Sequence, residues 1–244
     1  MKYFHFRQYP VEFVLSENTN KEFSSHNHAN HYIISLCIKG SVDATLQNKS
    51  LQLEENEFFA VPPLMPHAVN LSDTSALVSL CMDKSFVADY HLQKGTDILE
   101  MLLHSPEIQR QITKHQTSLL LHALPYVYKL ADTYNKKMEH DMLILFDKLT
   151  DCAADSLPLN QLAKELYISK YYLIRKCKKN LGLTPHKFHL QNRIRRAQNL
   201  LLSGKSITVS SVNTGFYDQS HLDKYFKKIV GISPAEYLVS SRIL

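Results

Sequence analysis

The strongest constraint on this chain is a repeat near its C-terminus. Residues 173–188, LIRKCKKNLGLTPHKF, align with residues 222–237, LDKYFKKIVGISPAEY, at a constant offset of 49. Leu173 matches Leu222, Arg175 matches Lys224, Cys177 matches Phe226, and the Lys178-Lys179 pair matches Lys227-Lys228. The punctuation repeats too: Gly182 and Gly231, Thr184-Pro185 and Ser233-Pro234, then Phe188 and Tyr237. So many matches in one register point to a duplicated supersecondary unit. Each glycine stands where a helix should end in a left-handed cap. Each hydroxyl-proline pair supplies an N-cap and a first helical residue, and Ser233 with Glu236 makes a capping-box pattern. Of only six glycines in the chain, Gly182, Gly204 and Gly231 stop these helices.

A second short helical segment precedes each copy. In the first, Leu159, Leu162, Ala163 and Leu166 share one face, and Ser169 then caps KYYLIRKCKKNLG. In the second, ITVSSVNT leads through Gly215 to Asp218, which caps the next helix. A short helix, a tight turn and a capped second helix form a helix-turn-helix, so the chain predicts two. Between them TPHKFHLQNRIRRAQNLLLSG predicts one linker helix with Leu190, Ile194, Ala197 and Leu201 on a stripe. Such a helix is roughly 30 Å long, close to the ~34–36 Å of one turn of B-DNA.

The second capped helix has two unlike sides. Leu222, Tyr225 and Phe226 predict a face docked on a small core, and Lys224 and Lys227 with Gln219 and Ser220 predict a face turned outward. Charge agrees. Residues 151–244 hold 15 Lys and Arg against 6 Asp and Glu, a net +9, whereas residues 1–150 hold 13 against 17, a net −4. A basic module joined to an acidic one suggests a polyanion binder fused to a domain of another kind.

That other domain reads as strands and then helices. Segments 32–40, 41–48, 49–63 and 75–83 are short, apolar and bounded by polar turns, which predicts a small β-sandwich or barrel. After Lys84 the period becomes helical: Leu119, Leu120, Ala123, Val127, Leu130 and Ala131 recur at threes and fours, Pro125 marks a start or a kink, and Met142, Leu143, Leu145, Phe146 and Leu149 continue the pattern. These helices either pack on the barrel or form a homodimer interface, and the homodimer is the expectation. Residues 151–161, with Pro158 and few core anchors, predict the domain boundary. The expected domains are 1–150, with the barrel at about 1–84 and helices at about 85–150, and 151–244. Cys37, Cys81, Cys152 and Cys177 are scattered without a CxxC pair, which argues against a zinc ribbon or disulfide scaffold and leaves Cys177 as a small core residue. With no signal-like or membrane-length apolar run, a cytoplasmic location is expected.

The C-terminal motifs GFYDQSHL, YFKK and Gly231-x-Ser233-Pro234-x-x-Tyr237, with LAKEL, Ser169, Leu173 and Arg193-x-x-x-Ala197 in the first half, resemble the DNA-binding domain of the AraC/XylS family of bacterial transcription regulators. The resemblance covers about residues 155–240. It implies that Lys170, Tyr171, Ile174 and Arg175 face the groove from the first recognition helix, with Lys178 beside them. Gln219, Ser220, Asp223 and Lys224 do so from the second, with Lys227 alongside. Ile174 can meet only a thymine methyl, Asp223 either reads cytosine or tethers a lysine, and His221 is expected to be structural. Two departures stand out. Ser210-Ser211 replace the family's usual apolar-Ala pair, and Tyr167 occupies a turn position where a small residue is common.

The N-terminal segments HNHANHYIISLCIKGSV and FFAVPPLMPHAV resemble the cupin-like sensor domain of the same family. The implied fold class is α+β: a cupin-like β-barrel with following helices, then an all-α domain of two helix-turn-helix units on a linker helix. His26, His28 and His67 are the candidate effector-pocket residues. They match part of a metal-binding cupin's ligand set, but the glutamate that should follow His28 is missing, so neither metal nor cofactor is expected. The implied function is a sequence-specific DNA-binding regulator, not an enzyme, controlled by a small effector in the barrel. Its partners would be double-stranded DNA, the effector, RNA polymerase and a second copy of the chain. A metal-dependent cupin enzyme fused to a DNA-binding module, or an architectural DNA binder without ligand, are the alternatives.

Overall fold

In the computed structural model, residues 1–17, 20–137, 144–146, 148–149 and 159–244 are described. The chain divides into two compact units, Met1–Lys137 with Ser241–Leu244, and Met138–Ser240. The boundary expected at 150/151 and most of the expected linker fall outside the described residues, as do Cys152, Met142 and Leu143.

The first unit opens with nine strands: β1 Lys2–His5, β2 Val11–Glu17, β3 Lys21–His26, β4 His31–Lys39, β5 Val42–Leu46, β6 Lys49–Leu53, β7 Phe58–Val61, β8 His67–Leu71 and β9 Ala76–Asp83. They form two sheets rather than one closed ring, with orders β10-β1-β2-β9-β4-β7 and β3-β8-β5-β6, where β10 is Ser241–Ile243. The expected 49–63 strand is two strands, β6 and β7, broken where Asn56 takes a positive φ of 72°. The turn after β4 is closed by Gly40 at φ 66°, where an added Cβ would lie 3.2 Å from the Thr74 carbonyl oxygen, a position only glycine fills without strain.

Alternation along β4 and β9 sorts their side chains between two cores. Ile33, Cys37 and Leu77 meet Val42, Ala44, Leu53, Val69 and Leu71 between the sheets. Tyr32, Ile34, Leu36, Val78, Leu80 and Met82 point the other way, where helices cover them. Those helices are α1 Lys84–Asp89, α2 Leu92–Leu103, α3 Pro106–Gln109, α4 Lys114–His122 and α5 Leu124–Lys137. Leu120, Ala123, Leu124 and Val127 are buried in this second core, so the stripe expected to form a dimer interface is used here, in large part, for packing on the sheet. Pro125 is the second residue of α5, where a missing N–H costs nothing. The C-terminal strand adds an unforeseen edge: β10 runs parallel to β1 with Tyr3 opposite Ser241 and His5 opposite Ile243.

The second unit is helical: α6 Leu159–Glu165, α7 Lys170–Leu181, α8 Pro185–Leu202, α9 Ile207–Asn213, α10 Gln219–Val230 and α11 Pro234–Ser240. The duplication is visible in detail. α7 and α10 are each 12 residues long, are capped by Ser169 and Asp218, and end at Gly182 (φ 67°) and Gly231 (φ 95°). α8 and α11 both begin at the proline of the hydroxyl-proline pair. α8 is the linker helix and packs against both α7 and α10, burying Ile194, Ala197 and Leu201. Phe146 joins this unit through its ring contact with Phe188.

Candidate nucleic-acid interface and effector site

α7 and α10 each divide into a buried and an exposed side. Leu173, Cys177 and Leu181 are buried in α7, as are Leu222, Phe226 and Val230 in α10. Burial pushes the Cys177 thiol up to about 12, which suits a core residue and not a reactive one. Lys170, Tyr171, Arg175 and Lys178 lie exposed along the other side of α7, with Ile174 half-buried among them. Gln219, Ser220, Lys224 and Lys227 do the same on α10, with Asp223 half-buried. At spacings of three and four these residues fall on one face of each helix.

Several of these side chains are already engaged. Asp223 is paired with Lys227 at 3.0 Å, which is the tethering alternative for that carboxylate. Gln219 Oε1 accepts from the Thr208 hydroxyl at 3.1 Å, leaving its amide N–H groups to point elsewhere. His221 is structural: its Nδ1 accepts from the Tyr217 backbone at 3.2 Å and its ring meets Phe216 and Tyr225. Tyr217, which the sequence did not single out, is 90% exposed just ahead of the α10 cap. Another tyrosine, Tyr167, is 97% exposed in the turn of the first helix-turn-helix unit.

The support of α10 is polar to an unusual degree. Arg193 of α8 donates from Nε to the Thr214 carbonyl at 2.7 Å and lies over the Phe216 ring, 4.1 Å from its centroid. This fixes the turn that aims α10. Ser210 and Ser211 occupy fully buried positions of α9. Ser211 donates to the Thr208 carbonyl at 2.7 Å, whereas the Ser210 hydroxyl has no hydrogen-bond partner among the described residues.

In the first unit the three candidate histidines converge. His26 ends β3, His67 begins β8, and the ladder sets them opposite each other. Their ring centroids are 4.3 Å apart, and His28 lies 5.2 Å from His26 and 5.3 Å from His67. A break in register between Phe23 and His26 precedes the pair. The His28 carbonyl accepts from the Leu64 N–H at 2.8 Å, which ties it to the proline turn before β8. His31 stands farther off, 6.4 Å from His28 by centroid, with its Nε2 3.9 Å from Asp83. Along β4 the same side then carries Ile33, Ser35 and Cys37, and Ser35 pairs with Ser79 through their hydroxyls at 2.8 Å. This polar pair, with Ser35 buried and Ser79 half-buried beside the apolar inter-sheet core, was not foreseen.

Known proteins resemble the chain in the same two parts. Residues 162–239 match a helix-turn-helix domain and residues 9–118 match an AraC-like ligand binding domain. The Msm operon regulatory protein of Streptococcus mutans is 37% identical over 83 residues, covering 34% of this chain and 30% of its own. The HTH-type transcriptional regulator MtrA of Neisseria gonorrhoeae is 29% identical over 106 residues, covering 42% and 33%. The chain thus spans about a third of the length of these relatives. Among solved structures, ToxT of Vibrio cholerae O395 superposes with a TM-score of 0.60 at 16% identity, over 95% of this chain and 98% of that one; it is similar in fold.

Proposed function

The chain joins an AraC-like ligand binding domain to a helix-turn-helix domain and belongs with the AraC-type transcriptional regulators, and from that premise we propose that it binds specific double-stranded DNA under the control of a small effector held in its N-terminal domain. The observation that carries this reading is the pair of equivalent 12-residue helices, capped alike and each exposing a basic, polar face. Helices of this kind enter the major groove, where side chains of the first turns read base edges and flanking lysines hold phosphates. In this reading Lys170, Tyr171, Ile174, Arg175 and Lys178 serve one groove, and Gln219, Ser220, Asp223, Lys224 and Lys227 serve the next.

The effector would sit between the sheets near His26, His28 and His67, where polar rings and the Ser35–Ser79 pair interrupt an apolar core. Pockets of that composition orient a small ligand with few polar groups. One structure of ToxT holds a bound unsaturated fatty acid, and we extend only the idea of a small ligand to this chain. We further propose that it acts in the cytoplasm as a homodimer that engages RNA polymerase at its target. No described helix is long and apolar enough to cross a membrane.

A footprint of the full chain on the DNA upstream of its own gene tests the reading. Protection of two neighbouring major-groove segments on one face of the duplex supports it. Uniform, sequence-independent coverage favours the architectural alternative, and catalytic turnover by the N-terminal domain favours the enzyme.

A further inference from the structure

We infer that His26, His28 and His67 bind one divalent transition-metal ion of the zinc class, leaving a coordination position open toward the effector. One ring nitrogen from each of the three lies within 4.8 Å of the others. A tetrahedral ion holds imidazole nitrogens at about 2.0–2.1 Å, which places them roughly 3.3 Å from one another. A shift of about 1 Å at side chains therefore closes the cluster, and rotation of the rings supplies it.

The outer hydrogen bonds already favour that arrangement. The His26 Nδ1–H donates to the Ser24 carbonyl at 3.0 Å, and the His67 Nδ1–H donates to the Met65 carbonyl at 3.1 Å. A ring that gives its Nδ1 proton to a carbonyl carries its lone pair on Nε2, and this backbone bond is what fixes tautomer and orientation in metal-bound histidines.

The absent glutamate is no obstacle, because three imidazoles alone make a complete protein set for an ion that keeps a fourth position for a small molecule. Imidazole ligands suit zinc, nickel and copper over magnesium or calcium. The role given to the open position rests on the reading of this unit as an effector domain; the metal site itself does not.

Cobalt(II) is the probe. The full chain, stripped with chelator and dialysed, is titrated with Co2+ while visible absorption is followed, and zinc is then added in competition. One equivalent with saturable d–d bands displaced by zinc is expected. His28→Asn and His67→Gln should each weaken binding by more than the ~10–100-fold typical of losing an outer-sphere partner. Melting curves of the metal-free variants guard against misfolding, and His28→Asn serves if His67→Gln does not fold. Absence of saturable binding, or equal binding by wild type and His28→Asn, overturns the site. Neither result touches the effector reading, which is tested by operator binding with and without candidate effectors in the absence of cobalt.

Discussion

Arg193 donates its Nε–H to the Thr214 carbonyl at 2.7 Å, across 21 positions of sequence. The bond satisfies a carbonyl at the end of α9, and the guanidinium plane covers Phe216 in the turn that follows. Arg193→Ala should therefore destabilise the second helix-turn-helix by about 2–3 kcal/mol, since a charge-assisted bond and a cation–π contact go together. Arg193→Lys should recover only part, because an ammonium cannot both donate at that angle and stack. Chemical denaturation of the two variants measures the difference; equal stability of wild type and Arg193→Ala would show that the turn is held by other contacts.

Ser210→Ala should stabilise the chain by roughly 1 kcal/mol. The hydroxyl lies fully buried with no partner among the described residues, its desolvation costs about 1–3 kcal/mol, and alanine is the better helix former. A lower melting temperature in Ser210→Ala would mean that the hydroxyl makes a bond the described residues do not supply.

Tyr167 takes a φ of 54° in the first turn, the conformation that Gly215 takes at 75° in the second. A left-handed non-glycine residue costs about 1–2 kcal/mol, partly offset by the entropy glycine loses on folding. Tyr167→Gly should raise stability by roughly 0.5–1 kcal/mol. It should also weaken DNA binding if the exposed phenol rests on the phosphate backbone. Stability measured by denaturation and affinity measured on operator DNA separate the two effects, and a destabilised Tyr167→Gly would contradict the strain argument.

How much of this fold is legible in the sequence depends on the range of the interactions that define each element. The caps at Ser169, Asp218, Gly182 and Gly231 depend on the few residues around them, so both helix-turn-helix units and their exposed faces were legible. β1, β2, β3, β8 and β10 were not read as strands. Each is defined by its partner across the sheet, and Ser241–Ile243 finds that partner at the far end of the chain. The histidines were named through the resemblance to the cupin-like domain, but their convergence follows from the β3–β8 ladder and its register break after Phe23. No local signal marks that break. Ser35 and Ser79 likewise meet only because β4 and β9 pair with those residues opposite each other.

Lys224 and Lys228 lie on the same helix, are both exposed and differ in position. Lys224 is on the face with Ser220 and Lys227; Lys228 stands one turn farther toward the C-terminus of the helix, away from the first turns that read bases. Lys224→Ala should relax preference at one operator base pair, at a cost of about 1–3 kcal/mol. Lys228→Ala should weaken specific and random DNA alike. Competition binding with single-base operator variants reads both, and identical behaviour of the two mutants would misplace the groove-facing stripe.

The most direct test of the account is the salt dependence of DNA binding by the full chain. Log affinity should fall linearly and steeply against log salt, with a slope of about −0.9 for each phosphate neutralised. Alanine at a phosphate-contacting Lys178 should flatten that slope by about 0.9. An affinity that does not change with salt would contradict the assignment of α7 and α10 as DNA-binding helices.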